Sequence, residues 1–437
     1  MHRNEIDIIT LGCSKNLVDA ERLMRRLEAA GYRCVHDSAH PQGEIAVINT
    51  CGFIGDAKEE SLNTILAFGD RKRRGELKKL YVMGCLSERY RADLEAEMPE
   101  VDRYFGKFDY MDLVGELLNN RPSTICIPPY ERVITTPKHY AYLKISEGCN
   151  RYCSYCAIPL ITGRHRSLPM DELLQEARWL ATQGVSEVNV IAQDLSAYGT
   201  DIYGTHKLPE LVERMSDIKG INWIRLHYTY PTDFPIDLLR VMRERDNVCK
   251  YLDIALQHSS DHILSLMRRH ITAAEQEELI RTIRKDVPNI YLRTTLMVGH
   301  PGETEEDFEN LKDFTRRMRF ERMGCFAYSH EEGTWSYNHY TDDVPEEVKQ
   351  RRVDELMSIQ ETIAAEVAEQ SIGKRIKVMV DREEGDYFVC RTEWDSPEVD
   401  CEVLLKRSDK TTSVHVGTLQ DVTITGSENF DLYATIV

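Results

Sequence analysis

From residue 6 onward the chain alternates short β-branched runs with helical patterns. "IDIITLG" is followed by "NLVDAERLMRRLEAAG", where Leu17, Leu23, Met24 and Leu27 share one face at helical spacing and Gly31 marks a C-cap. The rhythm repeats with "EIAVINT" and "DAKEESLNTILAFGDRKRRG", then "KLYVMG" and "LSERYRADLEAEM". Strands alternating with helices predict a doubly wound parallel sheet over residues 1–120. Residues 121–137, "RPSTICIPPYERVITTP", are proline-rich and predict a linker. A second alternating region spans 138–370, with candidate strands "YAYLKIS", "VSEVNVIA", "WIRLHY", "YLDIAL", "IYLRTTLMVG" and "MGCFAYS". Helical patterns between them, such as "MDELLQEARWLATQG" and "AAEQEELIRTIRKDV", predict a parallel (β/α) barrel or partial barrel, braced by a long helix over 344–370. The remaining short strands of 371–437 predict a small antiparallel β-barrel of the oligonucleotide-binding kind. The expected class is α/β, in three domains.

Composition narrows the setting. The chain has 437 residues, 42% hydrophobic and 29% charged, an ordinary globular balance. No stretch approaches the roughly 18 apolar residues of a membrane span, and the N-terminus shows no signal-peptide pattern. A soluble, cytoplasmic protein is expected, whose twelve cysteines read as ligands, catalysts or core residues rather than disulfides. The net charge of −18 disfavours sequence-independent nucleic-acid binding and suits a basic protein partner. Residues 371–437 carry eight Lys and Arg against thirteen Asp and Glu, a net of −5.

Six cysteines fall where ligand chemistry is expected. Cys13, Cys51 and Cys85 ("TLGC", "INTC", "VMGC") each stand just beyond a predicted strand, at the sheet edge where ligands bind, with glycine beside each. Small buried hydrophobes are the alternative. Cys149, Cys153 and Cys156, in "SEGCNRYCSYCAIP", follow the first barrel strand. Three readings fit them: zinc with His165 as fourth ligand, buried core cysteines, or an iron–sulfur cluster with one iron left open. Other barrel residues are weaker candidates for cofactor binding: Gln193 and Asp194 at the second strand's end, Gln257 and His258 at the fourth, and Arg293 in the fifth strand, which can pair with a carboxylate. For each, a structural hydrogen bond or surface charge is the alternative. Cys34, Cys126, Cys249, Cys325, Cys390 and Cys401 lack ligand spacing and are read as structural.

CxxxCxxC after a first barrel strand, with Tyr155 before the last cysteine, resembles the radical S-adenosylmethionine enzymes. With "LGCSKNLVDAE", "NTCGF" and "MGCLSE" upstream, essentially the whole chain is similar to their methylthiotransferase family. "LGCSKNLVD" and the ending "DLYATIV" are most similar to the members that modify an aspartate of small-subunit ribosomal protein S twelve. The resemblance implies a transferase that inserts a methylthio group at that aspartate's β-carbon, giving 3-methylthioaspartate. It implies two 4Fe-4S clusters, an auxiliary one on Cys13, Cys51 and Cys85 and a radical SAM one on Cys149, Cys153 and Cys156. S-adenosylmethionine, an electron donor and a sulfur source would complete the system, with Tyr155 near the cofactor. The C-terminal barrel would be a TRAM domain. The chain departs from the family pattern at Thr162 and Leu168, where basic residues are usual, and at His300, where an aromatic is common. The nearest rival is the same chemistry on a tRNA adenosine, which the acidic C-terminal barrel disfavours. A rival of another class is a non-catalytic, zinc-stabilised interaction scaffold.

Overall fold

The computed structural model describes residues 2–118 and 127–437. The N-terminal unit runs β1 (His2–Thr10), α1 (Ser14–Ala29), β2 (Arg33–His36), β3 (Gly43–Thr50), α2 (Gly55–Arg73), β4 (Lys79–Gly84), α3 (Cys85–Glu97), β5 (Arg103–Tyr104) and α4 (Tyr110–Leu117). Its strands form one parallel sheet in the order β2-β1-β3-β4-β5. Central β3 is buried throughout, and its middle, Ile45–Ile48, is apolar because both its faces are covered. Ile45 and Val47 pack with Leu23, Met24 and Leu27 of α1, while Ala46 and Ile48 pack with Ile65 and Leu86 on the other side. Leu17 and Val18 turn away from this sheet and pack on Tyr140, Tyr142 and Ile191 of the next unit.

That unit contains β6 (Tyr140–Lys144), the short hairpin strands β7 (Ser146–Glu147) and β8 (Arg166–Ser167), then β9 (Glu187–Ile191), β10 (Trp223–Thr229), β11 (Val248–Gln257), β12 (Tyr291–Val298) and β13 (Arg322–Ala327). Six of them make a parallel sheet, β6-β9-β10-β11-β12-β13, whose outer strands do not pair with each other. It is a partial barrel, with the long helix Glu346–Glu369 packed along β13.

β14 (Arg375–Glu384), β15 (Tyr387–Thr392), β16 (Val403–Lys406), β17 (Leu419–Glu428) and β18 (Asp431–Ile436) close into a ring. Four pairings are antiparallel, as expected, and β16 pairs with β18 in parallel. A closed ring with an odd number of strands cannot alternate direction all the way round, so one parallel pair is unavoidable. This small barrel seals the N-terminal end of the large one. Glu187, the fully buried first residue of β9, accepts from Arg391 at 2.8 Å and from Arg225 at 3.0 Å. Arg225 in turn donates to the Glu393 carbonyl at 2.6 Å, and His139 meets Asp381 at 2.8 Å.

A second buried charge cluster joins the N-terminal unit to the barrel. Asp19 of α1 pairs with Lys144 of β6 and, at 3.2 Å, with Lys107, which also faces Glu147 at 3.8 Å. Burial pushes the Asp19 carboxyl up, but Lys144 and Lys107 outweigh it and hold it at about 2. Glu331, beyond β13, binds Lys58 at 2.7 Å and Arg89 at 3.0 Å from the N-terminal unit. Much of the expected linker, including Cys126, lies outside the described residues. Its described part is pinned rather than loose. Arg132 is buried against Glu21 and Glu176, and the Thr135 N–H donates to Glu21 at 2.8 Å.

These clusters give two expectations. Glu187 is held at about 2: burial opposes its ionisation, and Arg391 and Arg225 overcome that. Its contribution is therefore present above the ordinary glutamate range and lost as pH falls through about 2. Glu187→Gln, which leaves two buried arginines short of a partner, should cost about 3–5 kcal/mol at neutral pH. In thermal unfolding the gap from wild type should narrow only below about pH 4. Lys144→Met should leave Asp19 and Glu147 to share Lys107 alone, two carboxylates on one ammonium, and cost less, about 1–3 kcal/mol. Hydrogen exchange should then rise in β6 and α1 before it rises in the C-terminal ring.

Candidate active site between two cysteine trios

β1, β3 and β4 are neighbours in the sheet, so the residues that follow them reach the same edge. Cys13 precedes α1, Cys51 follows β3 directly, and Cys85 opens α3. Gly12, at φ +91°, is required here, because a Cβ would come within 2.7 Å of the Cys51 Cβ and 2.9 Å of its Sγ. Gly84, at φ +101°, similarly allows β4 to approach Thr50. These two glycines thus admit protein from the neighbouring loop rather than a ligand. Asn16 ties the loops together: its Nδ2 donates to the Leu11 and Thr50 carbonyls, both at 3.0 Å, and its Oδ1 accepts from the Cys85 thiol at 3.6 Å.

Charge differs among the three thiols. Cys13 is exposed as a residue, though the protein around its thiol still opposes ionisation; Lys15 and Lys107, with the N–H groups of Asn16 and Lys15, outweigh that and pull it below the usual thiol range. Burial pushes Cys51 up and Cys85 up to about 12, and each also feels the negative charge of Cys13. Cys51 and Cys85 thus lie within electrostatic reach of Cys13.

The second trio occupies the loop between β7 and the short helix Ile158–Thr162. The loop is held by backbone bonds from Cys149 to Gly163 (3.2 Å), from Cys156 to Cys153 (3.1 Å) and from Ser154 to Met267 (3.0 Å). Arg269, almost completely buried, donates to Cys153 Sγ at 3.4 Å, and the Tyr230 hydroxyl lies 3.5 Å from the same sulfur. The guanidinium groups of Arg269 and Arg151 lie 4.0 and 4.3 Å from the centroid of the Tyr230 ring. Burial pushes Cys149 up to about 12 and raises Cys156 as well.

Among the described residues no three His, Cys, Asp or Glu side chains converge on a point where one metal ion would sit. Zinc requires that convergence. His165, the suggested fourth zinc ligand, bonds Ser167 Oγ at 3.0 Å instead. A multi-iron cluster takes each thiolate on a different iron, so three cysteines that share a sheet edge or a loop without meeting at one point fit it. All six cysteines are free thiols.

A cavity of about 660 Å³ lies between the units. Its wall begins with Phe53 to Asp56, two residues after Cys51, and includes Tyr155, Gln257, Tyr328 and Glu331. That volume suits a cofactor-sized ligand.

The structure brings most of the expected polar residues to this end of the barrel. Tyr155 and Gln257, the latter at φ +72°, line the cavity. Gln193 donates to Glu147 at 2.9 Å, and Asp194 accepts from Arg151 at 2.7 Å. Gln193 Oε1 and Asp194 Oδ1 are buried without a partner. His258 is fully buried, pushed down to about 3 by burial, and its Nδ1 accepts from the Ser260 N–H at 3.0 Å. His258 is therefore neutral, and its Nε2, like those two oxygens, is buried without a partner. Arg293 does pair with a carboxylate, but with Asp400 of the C-terminal ring, at the far end of the barrel. Cys249, Cys325 and Cys390 are buried and Cys34 and Cys401 half-buried, with Cys325 also touching the cavity wall. Sequence reasoning missed Lys15, Asn16, Lys107, Arg151, Tyr230 and Arg269. Tyr230 stands just past a strand end, as Gln193 does, so position alone could have marked it. Arg269 and Lys107 carry no local signal.

Family models match the chain in three blocks: "Uncharacterized protein family UPF0004" over residues 5–106, "Radical SAM superfamily" over 143–315 and "TRAM domain" over 372–437. Among solved structures, the radical S-adenosylmethionine methyltransferase TsrM from Kitasatospora setae superposes with a TM-score of 0.56 at 14% identity, over 75% of this chain and 72% of its own. The cobalamin-dependent S-adenosylmethionine radical enzyme OxsB gives 0.52 at 12% identity, over 82% and 56%. Both likenesses concern the fold. Proteins named ribosomal protein uS12 methylthiotransferase RimO are far more similar in sequence. That of Phocaeicola vulgatus is 60% identical over 437 residues, all of both chains. That of Bacteroides thetaiotaomicron is 61% identical over 100% of this chain and 99% of its own. That of Christiangramia forsetii is 50% identical over 99% and 94%. With such identity sustained through all three units, the chain belongs to the RimO family of ribosomal protein uS12 methylthiotransferases.

Proposed function

We propose that the protein inserts a methylthio group at the β-carbon of an aspartate in ribosomal protein uS12, acting in the cytoplasm. The observation that carries this reading is one cavity whose wall includes both the loop after Cys51 and Tyr155, which stands between Cys153 and Cys156. Cys149, Cys153 and Cys156 would hold one 4Fe-4S cluster, and Cys13, Cys51 and Cys85 a second. When bound, these clusters and S-adenosylmethionine supply a carbon-centred radical, able to take hydrogen from an unactivated C–H, and the sulfur to be transferred.

The chain's own residues bind, orient and enclose. Arg269 and Tyr230 hold Cys153 from the barrel side and set positive charge against the thiolates. The free acceptors Gln193 Oε1 and Asp194 Oδ1 suit the ammonium of the cofactor's methionine part. The Asp19, Lys107, Lys144 and Glu147 cluster keeps the two units closed and water out of the junction. The net charge of −5 on residues 371–437 favours a basic protein over nucleic acid as the macromolecule approached. An electron donor and a sulfur source are required from elsewhere. Among the described residues no helix is long and apolar enough to cross a membrane.

Reduced enzyme offered uS12 and tRNA in parallel should add one methylthio mass to uS12; a gain on tRNA alone would overturn the reading. Anaerobically prepared protein should carry about eight irons, falling to about four in Cys153→Ala and in Cys51→Ala. Cys153→Ala should lose cofactor cleavage. Cys51→Ala should still cleave the cofactor yet transfer no sulfur, as read by 5′-deoxyadenosine release beside the uS12 mass.

A further inference from the structure

Lys15 lies in the first turn of α1, two residues past Cys13, and is only 8% exposed. Its Nζ sits 3.6 Å from the centroid of the Tyr228 ring, near the C-terminal end of β10. The N-terminal unit thus projects an ammonium into the mouth of the barrel. An aromatic face attracts such a charge but accepts none of its three N–H donors in the way an oxygen does. The neighbouring lysines are served: Lys107 and Lys144 both pair with Asp19 and face Glu147. Lys15 has neither an ion pair nor a hydrogen-bond acceptor among the described residues. The acid whose charge it reaches is Asp253, which accepts from the Tyr228 N–H at 3.2 Å and forms no ion pair with it.

Most of the Lys15 side chain is buried, but its Nζ is not fully enclosed, so the ammonium, without an acceptor among the described residues, is open to one from a ligand. Its place between the trios suggests what that ligand is. Tyr228 carries Lys15 on its face, and Tyr230, two residues on, meets Cys153 Sγ at 3.5 Å. One strand end therefore connects the lysine beside Cys13 to the other cysteine trio. The ammonium thus stands beside the strand end that leads from one trio toward the other.

We propose that Lys15 binds the side-chain carboxylate of the substrate aspartate and so fixes its β-carbon between the trios. The inference rests on the reading of a uS12 aspartate as substrate. It has a geometric basis: the carboxyl carbon is bonded directly to the β-carbon, so gripping one places the other. It also gives specificity, because an asparagine amide or a nucleobase brings no negative charge to the ammonium.

The test is a double-mutant cycle on affinity, read without reductant so that no turnover occurs. Holoenzyme, wild type or Lys15→Met, is titrated with uS12 carrying either its target aspartate or asparagine at that position. Lys15→Met should weaken binding of aspartate-bearing uS12 on the order of ten- to a hundredfold. The asparagine substitution should weaken wild-type binding comparably, and the two changes together no further. Lys15→Arg, which keeps the charge, should retain most of the affinity. If Lys15→Met weakens both forms of uS12 alike, or neither, the lysine does not read the carboxylate and the proposal is wrong. Should wild-type holoenzyme neither bind nor modify uS12, the substrate reading falls and this inference with it. Modification of uS12 without coupling in the cycle removes only the role of Lys15.

Discussion

Asp19 is clamped between Lys107 of its own unit and Lys144 of the first barrel strand, and the relative placement of the two cysteine trios depends on that clamp. Neither trio means much alone. The N-terminal sheet delivers its sulfurs to one edge and the barrel delivers its own to a loop, but their facing arrangement is set by the contact between units. Apolar packing of Leu17 and Val18 on Tyr140 and Tyr142 supplies adhesion with little direction. Buried charges supply direction, because a small rotation would leave an ammonium or a carboxylate without its partner. The unit interface is therefore held by a hydrophobic contact and aligned by an electrostatic one.

The same division of labour recurs at the other end of the barrel. Glu187, Arg225 and Arg391 form a buried triad across the junction with the C-terminal ring, flanked by His139 with Asp381 and Arg322 with Asp395. Both ends of the parallel strands are polar, for different reasons. At the floor every charge finds a partner, and the result is structural. At the mouth Asp194, Gln193 and Lys15 keep unfilled hydrogen-bonding capacity, which is what a ligand site requires.

Sequence pattern reached the elements that are buried on both faces. β3 and β4 carry short continuous apolar runs, Ile45–Ile48 and Leu80–Met83, and β1 has Ile6, Ile8 and Ile9, because helices cover the sheet on each side. β2, with only "RCVH", and β5, with two residues, are too short to show a period, and α4 spans barely two turns. The cysteine positions were legible because strand ends and motif spacing are local properties. Arg293 shows the limit: its chemistry, pairing with a carboxylate, was readable, but which end of the strand it served was not. Arg269 reaches Cys153 from more than a hundred residues away, a relation that exists only after folding. Lys15 stood inside the quoted motif and still escaped notice, since an unpaired charge is recognisable only when its surroundings are known.

The sealed floor has a consequence for traffic. With the C-terminal ring pressed against the strand starts, that end of the barrel is stopped. The sheet itself is left unclosed between β6 and β13, so the vessel is a stoppered trough rather than a tube. Traffic through its floor is barred by architecture before any affinity is considered.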